Sequence, residues 1–435
     1  MGKKKIAFYH PNAHFSTVDC TQLEKGNPGI GGSEYVMLCV ADKLAKNSDK
    51  LDVCLITQSD NDLMPTGGGK LVKYRAVTES ELLKVVHTQG IDVLVFRHFT
   101  IKPDSEFFTN IGDRCKIVIW CQNFVRRSYL NLYDKYGCVA KIVAVGKEQL
   151  EQYVDHHAYK KSDYIYNCIP QELIDEARAN MTPLDKRGKV VVYMGSLTWE
   201  KSFHVLAKSW PEVANKVPGA ELYIIGSGNL YDRTRKLGKY QIADEAYEAC
   251  FMPYLTDAHG NILPSVHFMG RMGAEKNDIL RKARVGVPNP TGYSETFCVV
   301  GVEMQLAGCL LTAAKYSAYL DTFNPKFSIL SNGTSSLADN IVRLLMKEDM
   351  PDMSEEIDFI EEKFSLNKIY KEWERLLSLT MWKNERLHDD PYRNLMFKWK
   401  WLKLVNKAVK DVLPGGYRLL PSMLLFNRWL KTYSA

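Results

Sequence analysis

Short apolar runs alternate with amphipathic stretches along most of the 435-residue chain, and this alternation limits the possible folds more than any other feature. Runs such as Lys5–Tyr9 and Lys189–Met194 predict strands, while Ser33–Lys46 and Phe203–Asn215 have the apolar spacing of helices. Strands that alternate with helices are typical of parallel sheets whose strands are joined by crossover helices. The sequence therefore predicts an α/β protein.

The strand and helix pattern starts again in the second half of the chain, which predicts two Rossmann-like domains in tandem. We expect the first domain in residues 1–180 and the second in residues 181–370. Ala177–Gly188, which contains Pro183 and four charges, has the composition of a linker. Ligands of such sheets bind beyond the carboxyl ends of the strands, so two facing domains would bind them in the cleft between them.

The net charge of +6 is unevenly distributed. Residues 391–435 contain nine Lys or Arg and a single acidic residue, Asp411, whereas residues 1–390 carry 48 basic and 50 acidic groups. A general nucleic-acid-binding surface is therefore not indicated. Ten scattered cysteines without a Cys-x-x-Cys pair indicate reduced thiols in a cytoplasmic protein, and no metal-ligand pattern is present.

The basic tail, residues 391–435, has the pattern of an amphipathic helix. Its lysines form a single stripe and its apolar residues the other side, with Trp399 misplaced in this division. This pattern predicts a helix that lies on an anionic membrane surface. The alternative is a helix packed on the first domain with a solvated lysine face. The predicted membrane-contacting residues are Lys400, Lys403, Lys407, Lys410, Trp399 and Trp401.

Two glycine-rich segments open helices. Gly29-Ile30-Gly31-Gly32-Ser33-Glu34 could bring backbone N–H groups and a positive helix end close to a phosphate or a sugar. It is not a dinucleotide fingerprint, because Glu34 occupies the place of the third glycine and the first strand ends twenty residues earlier. The second segment, Met194-Gly195-Ser196-Leu197-Thr198-Trp199-Glu200-Lys201-Ser202, puts a lysine where it could meet a diphosphate. A helix cap and a surface lysine are the plainer interpretations.

Two further motifs follow predicted strands. Ile225-Gly226-Ser227-Gly228 is either a phosphate loop or an ordinary turn. The segment from Pro288 to Glu303 is the most specific, because Glu295 and Glu303 flank seven residues at the start of a helix and fall on nearly the same face. Two carboxylates in this arrangement could accept hydrogen bonds from sugar hydroxyls and from a ribose diol.

In this order, the four motifs resemble those of the retaining nucleotide-sugar glycosyltransferases of the GT-B fold, in particular family 4, over about residues 5–380. The resemblance implies two Rossmann-like domains facing a central cleft. Phe364–Leu377, with Trp373, resembles the closing helices of that family, so residues 371–390 are expected to return to the first domain.

The resemblance also implies a role for each motif. Lys201 would neutralise the leaving diphosphate, and Glu303 would bind the ribose. Glu295, with the amides of Thr296 and Phe297, would hold the hydroxyls of the donor sugar. The loop that contains Arg271 would lie near the base. The remaining donor-binding residues would be Gly31, Gly32, Gly195, Ser196, Gly226 and Gly228.

Three positions depart from the family pattern. Ser196 stands where the family usually has Arg, and Ser202 where it usually has Gly. Gln122, our candidate at the reacting sugar, stands in Trp120-Cys121-Gln122-Asn123, where the first domain often has a His. Arg271, Arg126 or Arg127 could supply the missing positive charge.

The activity that the resemblance implies is transfer of a sugar, with retained configuration, from a UDP- or GDP-sugar to a hydroxyl of a lipid-linked or polysaccharide precursor. It implies no cofactor and no metal. The cysteines and the basic tail predict a cytoplasmic protein, peripheral on the inner face of the membrane. The rival transferase fold uses an Asp-x-Asp metal motif. This chain contains Asp60-Asn61-Asp62, but the segment is better interpreted as a solvated polar loop. A sugar-nucleotide isomerase or hydrolase, and a non-catalytic scaffold, are the alternative functions.

Overall fold

The computed structural model describes residues 2–59, 62–230, 234–273, 275–349, 351–382, 385–388 and 400–425. These residues divide into two compact units. The first unit takes in the described parts of residues 1–24, 32–170 and 364–435, and the second those of residues 25–31 and 171–363. The chain therefore returns to the first unit after completing the second.

Thirteen strands occur in the described residues. They are β1 Lys4–His10, β2 Leu51–Thr57, β3 Val72–Arg75, β4 Val93–Arg97, β5 Lys116–Cys121, β6 Val139–Ala144, β7 Ser162–Tyr164, β8 Val190–Met194, β9 Glu221–Ile225, β10 Val266–Gly270, β11 Val285–Gly286, β12 Leu310–Ala314 and β13 Ser328–Ser331.

The α-helices of the same residues alternate with these strands along most of the chain. They are α1 Gly32–Asn47, α2 Glu79–Thr88, α3 Phe107–Asn110, α4 Arg127–Lys135, α5 Lys147–Glu151, α6 Gln171–Asn180, α7 Phe203–Lys216, α8 Glu245–Phe251, α9 Lys276–Lys282, α10 Val299–Leu306, α11 Ser317–Thr322, α12 Leu337–Leu345, α13 Ser354–Phe364, α14 Leu366–Leu377, α15 Lys400–Val412 and α16 Gly416–Leu419.

Each unit is built on one parallel sheet. The first sheet has the order β3-β2-β1-β4-β5-β6-β7 and the second the order β10-β9-β8-β11-β12-β13. Their central strands are buried on both faces, which explains why they read as continuous apolar runs. The predicted fold class, two Rossmann-like domains with C-terminal helices, is confirmed.

The order of the strands reverses once in each sheet. The reversal falls between β1 and β4 in the first sheet and between β8 and β11 in the second. At such a point the loops that leave two neighbouring strands go to opposite faces of the sheet and open a crevice at its carboxyl edge. These two edges are where the candidate functional side chains are found.

Strand β3 was not predicted from the sequence. It is four residues long, lies at the edge of the first sheet and has no fully buried residue, so its sequence lacks the apolar run of a central strand. The predicted strand Tyr164–Tyr166 is also displaced, because β7 spans Ser162–Tyr164.

Apart from residues 25–31, the chain passes from the first unit to the second after Pro170, ten residues before the predicted boundary. Helix α6 belongs to the second unit because its side chains bind α13. Gln171 Nε2 donates to Glu361 Oε1 over 2.8 Å, and Arg178 pairs with Glu361 at 2.7 Å and with Asp358 at 2.9 Å.

Helix α14 packs in the first unit. Its Trp373 is fully buried, and the ring centroid lies 4.3 Å from that of Trp120 in β5 and 6.4 Å from that of Phe8 in β1. Helix α14 thus covers the central strands of that sheet.

The tail helix α15 also packs on the first unit, but with the opposite orientation to either prediction. Lys403 and Lys410 are buried, and their ammonium groups donate to the backbone oxygens of Gln152 and Asp155 over 2.8 and 2.7 Å. The prediction that these two lysines contact a membrane, or form a solvated face, is therefore wrong. Trp399 lies outside the described residues.

The physical reason is a buried acidic surface on the first unit. Glu148 and Glu151 of α5 and the following Asp155 are all almost fully buried, and all three act on the Lys403 ammonium. Buried cations are normally paired, and here the lysine face meets acids distant in sequence. None of the described helices is long and apolar enough to cross a bilayer.

Candidate functional site

The loops after β8 and β11, on either side of the strand-order reversal, bring Lys201 and Glu295 together in the second unit. The Lys201 Nζ lies 2.6 Å from Glu295 Oε1. The Lys201 side chain is 28% exposed and that of Glu295 is 10% exposed, so a ligand in solution can reach the ammonium more easily than the carboxylate. Two residues predicted separately, 94 positions apart, thus form one ion pair.

Asn289 and Thr291 fix the geometry of this pair. The Asn289 side-chain nitrogen donates to the backbone oxygens of Glu200 and Tyr293 over 3.0 and 2.9 Å, and lies 3.3 Å from Glu295 Oε1. The Thr291 hydroxyl is 3.0 Å from that of Ser202. These contacts connect the loop that carries the lysine to the loop that carries the glutamate.

Strained backbone is concentrated around the pair. Ser202, Ser294 and Cys298 have φ angles of 55°, 67° and 65°, in the left-handed region that favours glycine. Residues held in this conformation are typical of functional sites, where the surrounding structure holds them. Ser202 is the residue that replaces the usual Gly of the family pattern, and its conformation explains why glycine suits that position.

The glycines that were predicted to offer amides to a phosphate donate those amides to backbone oxygens of the protein instead. The N–H groups of Gly195, Gly226 and Gly228 donate to the carbonyl oxygens of Ile225, Gly270 and Ile242 over 2.7 to 2.9 Å. A Cβ atom on Gly226 would lie 1.8 Å from the oxygen of Gly195. These glycines therefore let strand-end loops approach closely, and their amides are already engaged.

A second ion pair holds the other glutamate of the motif. Glu303 Oε2 in α10 lies 2.9 Å from the Nζ of Lys276, the first residue of α9, and both side chains are about 85% buried. The two residues line a cavity together with Asn27 and Arg281. Each glutamate of the spaced pair thus has its own lysine.

The segment before the first glycine motif lines the same cavity. Asn27 Oδ1 accepts the N–H groups of Gly29 and Ile30 over 3.0 and 2.9 Å, which closes a turn. Residues 25–31 belong to the second unit, whereas Gly32 begins α1 in the first. Gly31 and Gly32 therefore stand on either side of the boundary between the units.

The first unit has a polar cluster at its own strand-order reversal. Arg97, at the end of β4, donates to Ser33 Oγ over 2.8 Å and to Glu34 Oε1 over 3.1 Å, and His14 Nε2 lies 2.9 Å from the same carboxylate oxygen. Burial lowers the pKa of Arg97, and Glu34 acts in the opposite direction. The glycine motif is thus held by an arginine that the sequence analysis did not single out.

His10, the last residue of β1, is completely buried next to this cluster. Neither ring nitrogen has a hydrogen-bond partner within the described part of the chain. Burial, and then the charges of Arg97 and His14, hold the pKa of His10 well below its usual value. The imidazole is therefore neutral at physiological pH.

Gln122, the predicted candidate at the reacting sugar, follows β5 in the first unit. Its side-chain amide pairs with that of Asn167 through two hydrogen bonds of 2.8 and 2.9 Å. Arg126 and Arg127 lie at the start of α4, a few residues further along. The first of these two arginines is exposed and the second is half-buried.

The other predicted donor residues are in the second unit. Ser196 is buried and brings no charge, whereas Arg271 is exposed directly after β10. Thr296 and Phe297 follow Glu295 and are buried.

The residues that sequence analysis missed are the partners of those it found. Asn289 contacts Glu295, which is close to it in sequence. Lys276 and Arg97 contact Glu303 and Glu34, which are distant from them in sequence. Lys276 gave one signal that could have been used, since it is a lysine that begins a helix directly after a strand and a turn.

No group of three or more potential metal ligands occurs in the part of the chain that the structure describes. Asp62 of the Asp-x-Asp sequence is an exposed turn residue, and its companions Asp60 and Asn61 lie outside the described residues.

The second unit has the most direct similarity to a known family. Residues 188–347 match the model of the family described as glycosyl transferases group 1. An uncharacterized glycosyltransferase of Methanocaldococcus jannaschii is 22% identical over 343 residues, which cover 69% of this chain and 82% of the relative.

Solved structures extend the likeness over both units. The Anabaena protein HepE, in complex with UDP and glucose, has a TM-score of 0.58 at 15% identity and covers 86% of this chain and 99% of its own. Trehalose 6-phosphate synthase from Burkholderia multivorans has a TM-score of 0.59 at 11% identity, covering 87% and 96%. Residues 188–347 are therefore similar to the glycosyl transferases group 1 family, and the chain has the GT-B fold, two Rossmann-like units, that these solved structures share.

Proposed function

We propose that the protein transfers a hexosyl-type group from a UDP- or GDP-sugar to a hydroxyl of a lipid-linked or polysaccharide precursor, with retention of the anomeric configuration. The observation that carries the proposal is the Lys201–Glu295 pair in the loops after β8 and β11. HepE, which has the same fold, was solved with UDP and glucose, and this supports a nucleotide-sugar donor.

In the proposed mechanism the ion pair of the free enzyme is exchanged on donor binding. The diphosphate takes Lys201 as its partner, and Glu295 becomes free to accept hydrogen bonds from the hydroxyls of the sugar. The bond between the anomeric carbon and the diphosphate oxygen breaks, and its electron pair stays on that oxygen. The Lys201 ammonium stabilises the charge that develops there.

The acceptor oxygen forms its bond to the anomeric carbon on the face that the diphosphate leaves. Its proton passes to a phosphate oxygen of the leaving group, so atoms and charge balance without a protein base. Catalysis is then mainly positioning and charge stabilisation. We propose that no metal or cofactor takes part, because Lys201 and the amino-terminal end of α7 supply positive charge.

Other residues position the donor in this proposal. Glu303 binds the ribose, Arg271 lies near the base, and the amides of Thr296 and Phe297 assist Glu295. Gly31 and Gly32 line the donor phosphate, and Gln122 faces the reacting sugar. The glycines at 195, 226 and 228 and the buried Ser196 shape the loops around it.

Donor turnover by alanine variants tests the proposal. Release of UDP or GDP, measured with the donor that a screen identifies, is expected to fall by about 10²- to 10³-fold in Lys201→Ala and in Glu295→Ala. The matched control is Lys216→Ala, since Lys216 forms ion pairs with Glu212 and Asp339 in the same unit. Near wild-type rates in both site variants would contradict the assignment.

Two further measurements distinguish this mechanism from its alternatives. Activity is expected to survive EDTA, and its loss would favour the metal-dependent transferases. The anomeric configuration of the product, read by NMR, is expected to match that of the donor, and inversion would overturn the retaining mechanism.

A further inference from the structure

Helix α15 exposes its apolar side. Trp401, Val405, Val409 and Val412 are 58%, 52%, 45% and 84% exposed, and their spacing of four, four and three residues puts them in one stripe. We call this stripe the apolar face of α15. A surface helix of a globular protein normally turns such a stripe toward the core, and here it points away from the first unit.

The opposite side of the helix fixes this orientation. Lys403 and Lys410 are buried against the segment from Gln152 to Asp155, as described above. The Asp155 carboxylate also accepts hydrogen bonds from Asn406 over 2.9 Å, from Ser422 over 2.8 Å and from the N–H of Met423 over 2.6 Å. Turning the apolar face inward would break all of these contacts.

We propose that the apolar face of α15 docks onto an anionic membrane surface, and that Lys403 and Lys410 fix the helix to the enzyme instead of contacting lipid. The helix has 13 residues, which suits a position in the plane of the interface, with its apolar side among the acyl chains. Leu413 and Leu419, both exposed, extend the apolar surface beyond the helix end.

The charge of the tail selects the occupant. Seven Lys or Arg of residues 391–435 remain after Lys403 and Lys410, against the single acid Asp411, and the tail also contains three tryptophans. Anionic lipid complements that charge, and Trp side chains favour the headgroup region. A second copy of this chain would bring one basic tail against another. The docking itself does not depend on the proposed function. Its purpose does, because a lipid-linked acceptor would lie in the same membrane surface.

Vesicle flotation of the full-length protein tests the docking. We expect the wild type to float with phosphatidylcholine vesicles that contain phosphatidylglycerol and to stay behind with phosphatidylcholine alone. The double variant Val405→Gln, Val409→Gln should lose binding by about tenfold or more, because two exposed apolar side chains no longer enter the bilayer. The matched control is Val72→Gln, Val77→Gln, two equally exposed valines of the first unit, and it should float like the wild type.

The outcomes divide clearly. Failure of the wild type to float, equal binding to both vesicle types, or unchanged binding of the Val405/Val409 variant would each overturn the docking. A dimer that the same variant dissociates, without vesicle binding, would assign the face to a second copy instead. Turnover with a water-soluble acceptor should be unchanged in the variant. Absence of donor turnover in a wild type that floats would count against the proposed function and leave the docking supported.

Discussion

At the scale of single residues, the candidate site contains positions whose backbone conformation is unfavourable for any residue with a side chain. Ser202 lies in the left-handed region, and its hydroxyl contacts Thr291, so the loop that carries Lys201 is tied to the loop that carries Glu295. For most side chains this conformation costs about 1 kcal/mol or more. The replacement of a family glycine by serine thus keeps the turn and adds a hydroxyl contact.

Glu356 gives the clearest pH dependence of a single residue. It lies in α13 with its side chain buried, and burial raises its pKa to about 8 from a usual 4.5, while Asn324 lowers it by less. The folded protein therefore favours the protonated acid. The stability that this proton contributes is fully present below pH 4.5 and is lost as the pH rises toward 8, by roughly 1.4 kcal/mol for each pH unit.

The variant Glu356→Gln should remove this dependence, because the amide resembles the protonated acid at every pH. Urea unfolding at pH 5 and at pH 8 measures it. We expect the variant to be more stable than the wild type at pH 8, by on the order of a few kcal/mol, and to differ little at pH 5. An equal difference at both pH values would contradict this account of Glu356.

At the scale of elements, α15 shows what an amphipathic pattern can and cannot predict. The spacing of its lysines and valines predicts a helix, and a helix forms. The pattern does not say which side faces inward, because that depends on Glu148, Glu151 and Asp155, about 250 residues earlier in the chain. The edge strand β3 escaped prediction for a related reason, since its neighbours and not its own apolar content hold it in the sheet.

The attachment of the tail should depend on Asp155. The variant Asp155→Ala removes three hydrogen bonds to a buried carboxylate, so release of residues 400–425 should become easier by about tenfold or more. Limited trypsin digestion followed by mass spectrometry measures this, because Lys403 and Lys410 are buried only while the helix is attached. The exposed Asp104→Ala serves as the control, and equal cleavage rates in both variants would refute the role of Asp155.

At the scale of the whole molecule, the alternation of strand and helix patterns predicted both Rossmann-like units. It also predicted that the loops after strands carry the site. Lys201 and Glu295 were found as separate motifs, and the order of the strands makes them neighbours, because β8 pairs with β11. That pairing cannot be read from periodicity, since it depends on contacts between segments about 90 residues apart.

The same limit explains the residues that were missed. Arg97 and Lys276 act as partners of Glu34 and Glu303, and a partner is recognised only after the chain has folded. The engaged amides of Gly195, Gly226 and Gly228 are also a tertiary feature, because their acceptors lie 14 to 44 positions further along the chain.

The proposed mechanism requires that the donor diphosphate replace Glu295 as the partner of Lys201. Calorimetric titration with the nucleoside diphosphate and with the complete donor, for the wild type and for Lys201→Gln and Glu295→Gln, tests it most directly. We predict that Lys201→Gln weakens binding of the diphosphate by about tenfold or more, since a charge-assisted contact is lost. Glu295→Gln should bind the diphosphate at least as tightly as the wild type and lose only the added affinity that the sugar provides. Wild-type affinity of Lys201→Gln for the diphosphate would contradict the account.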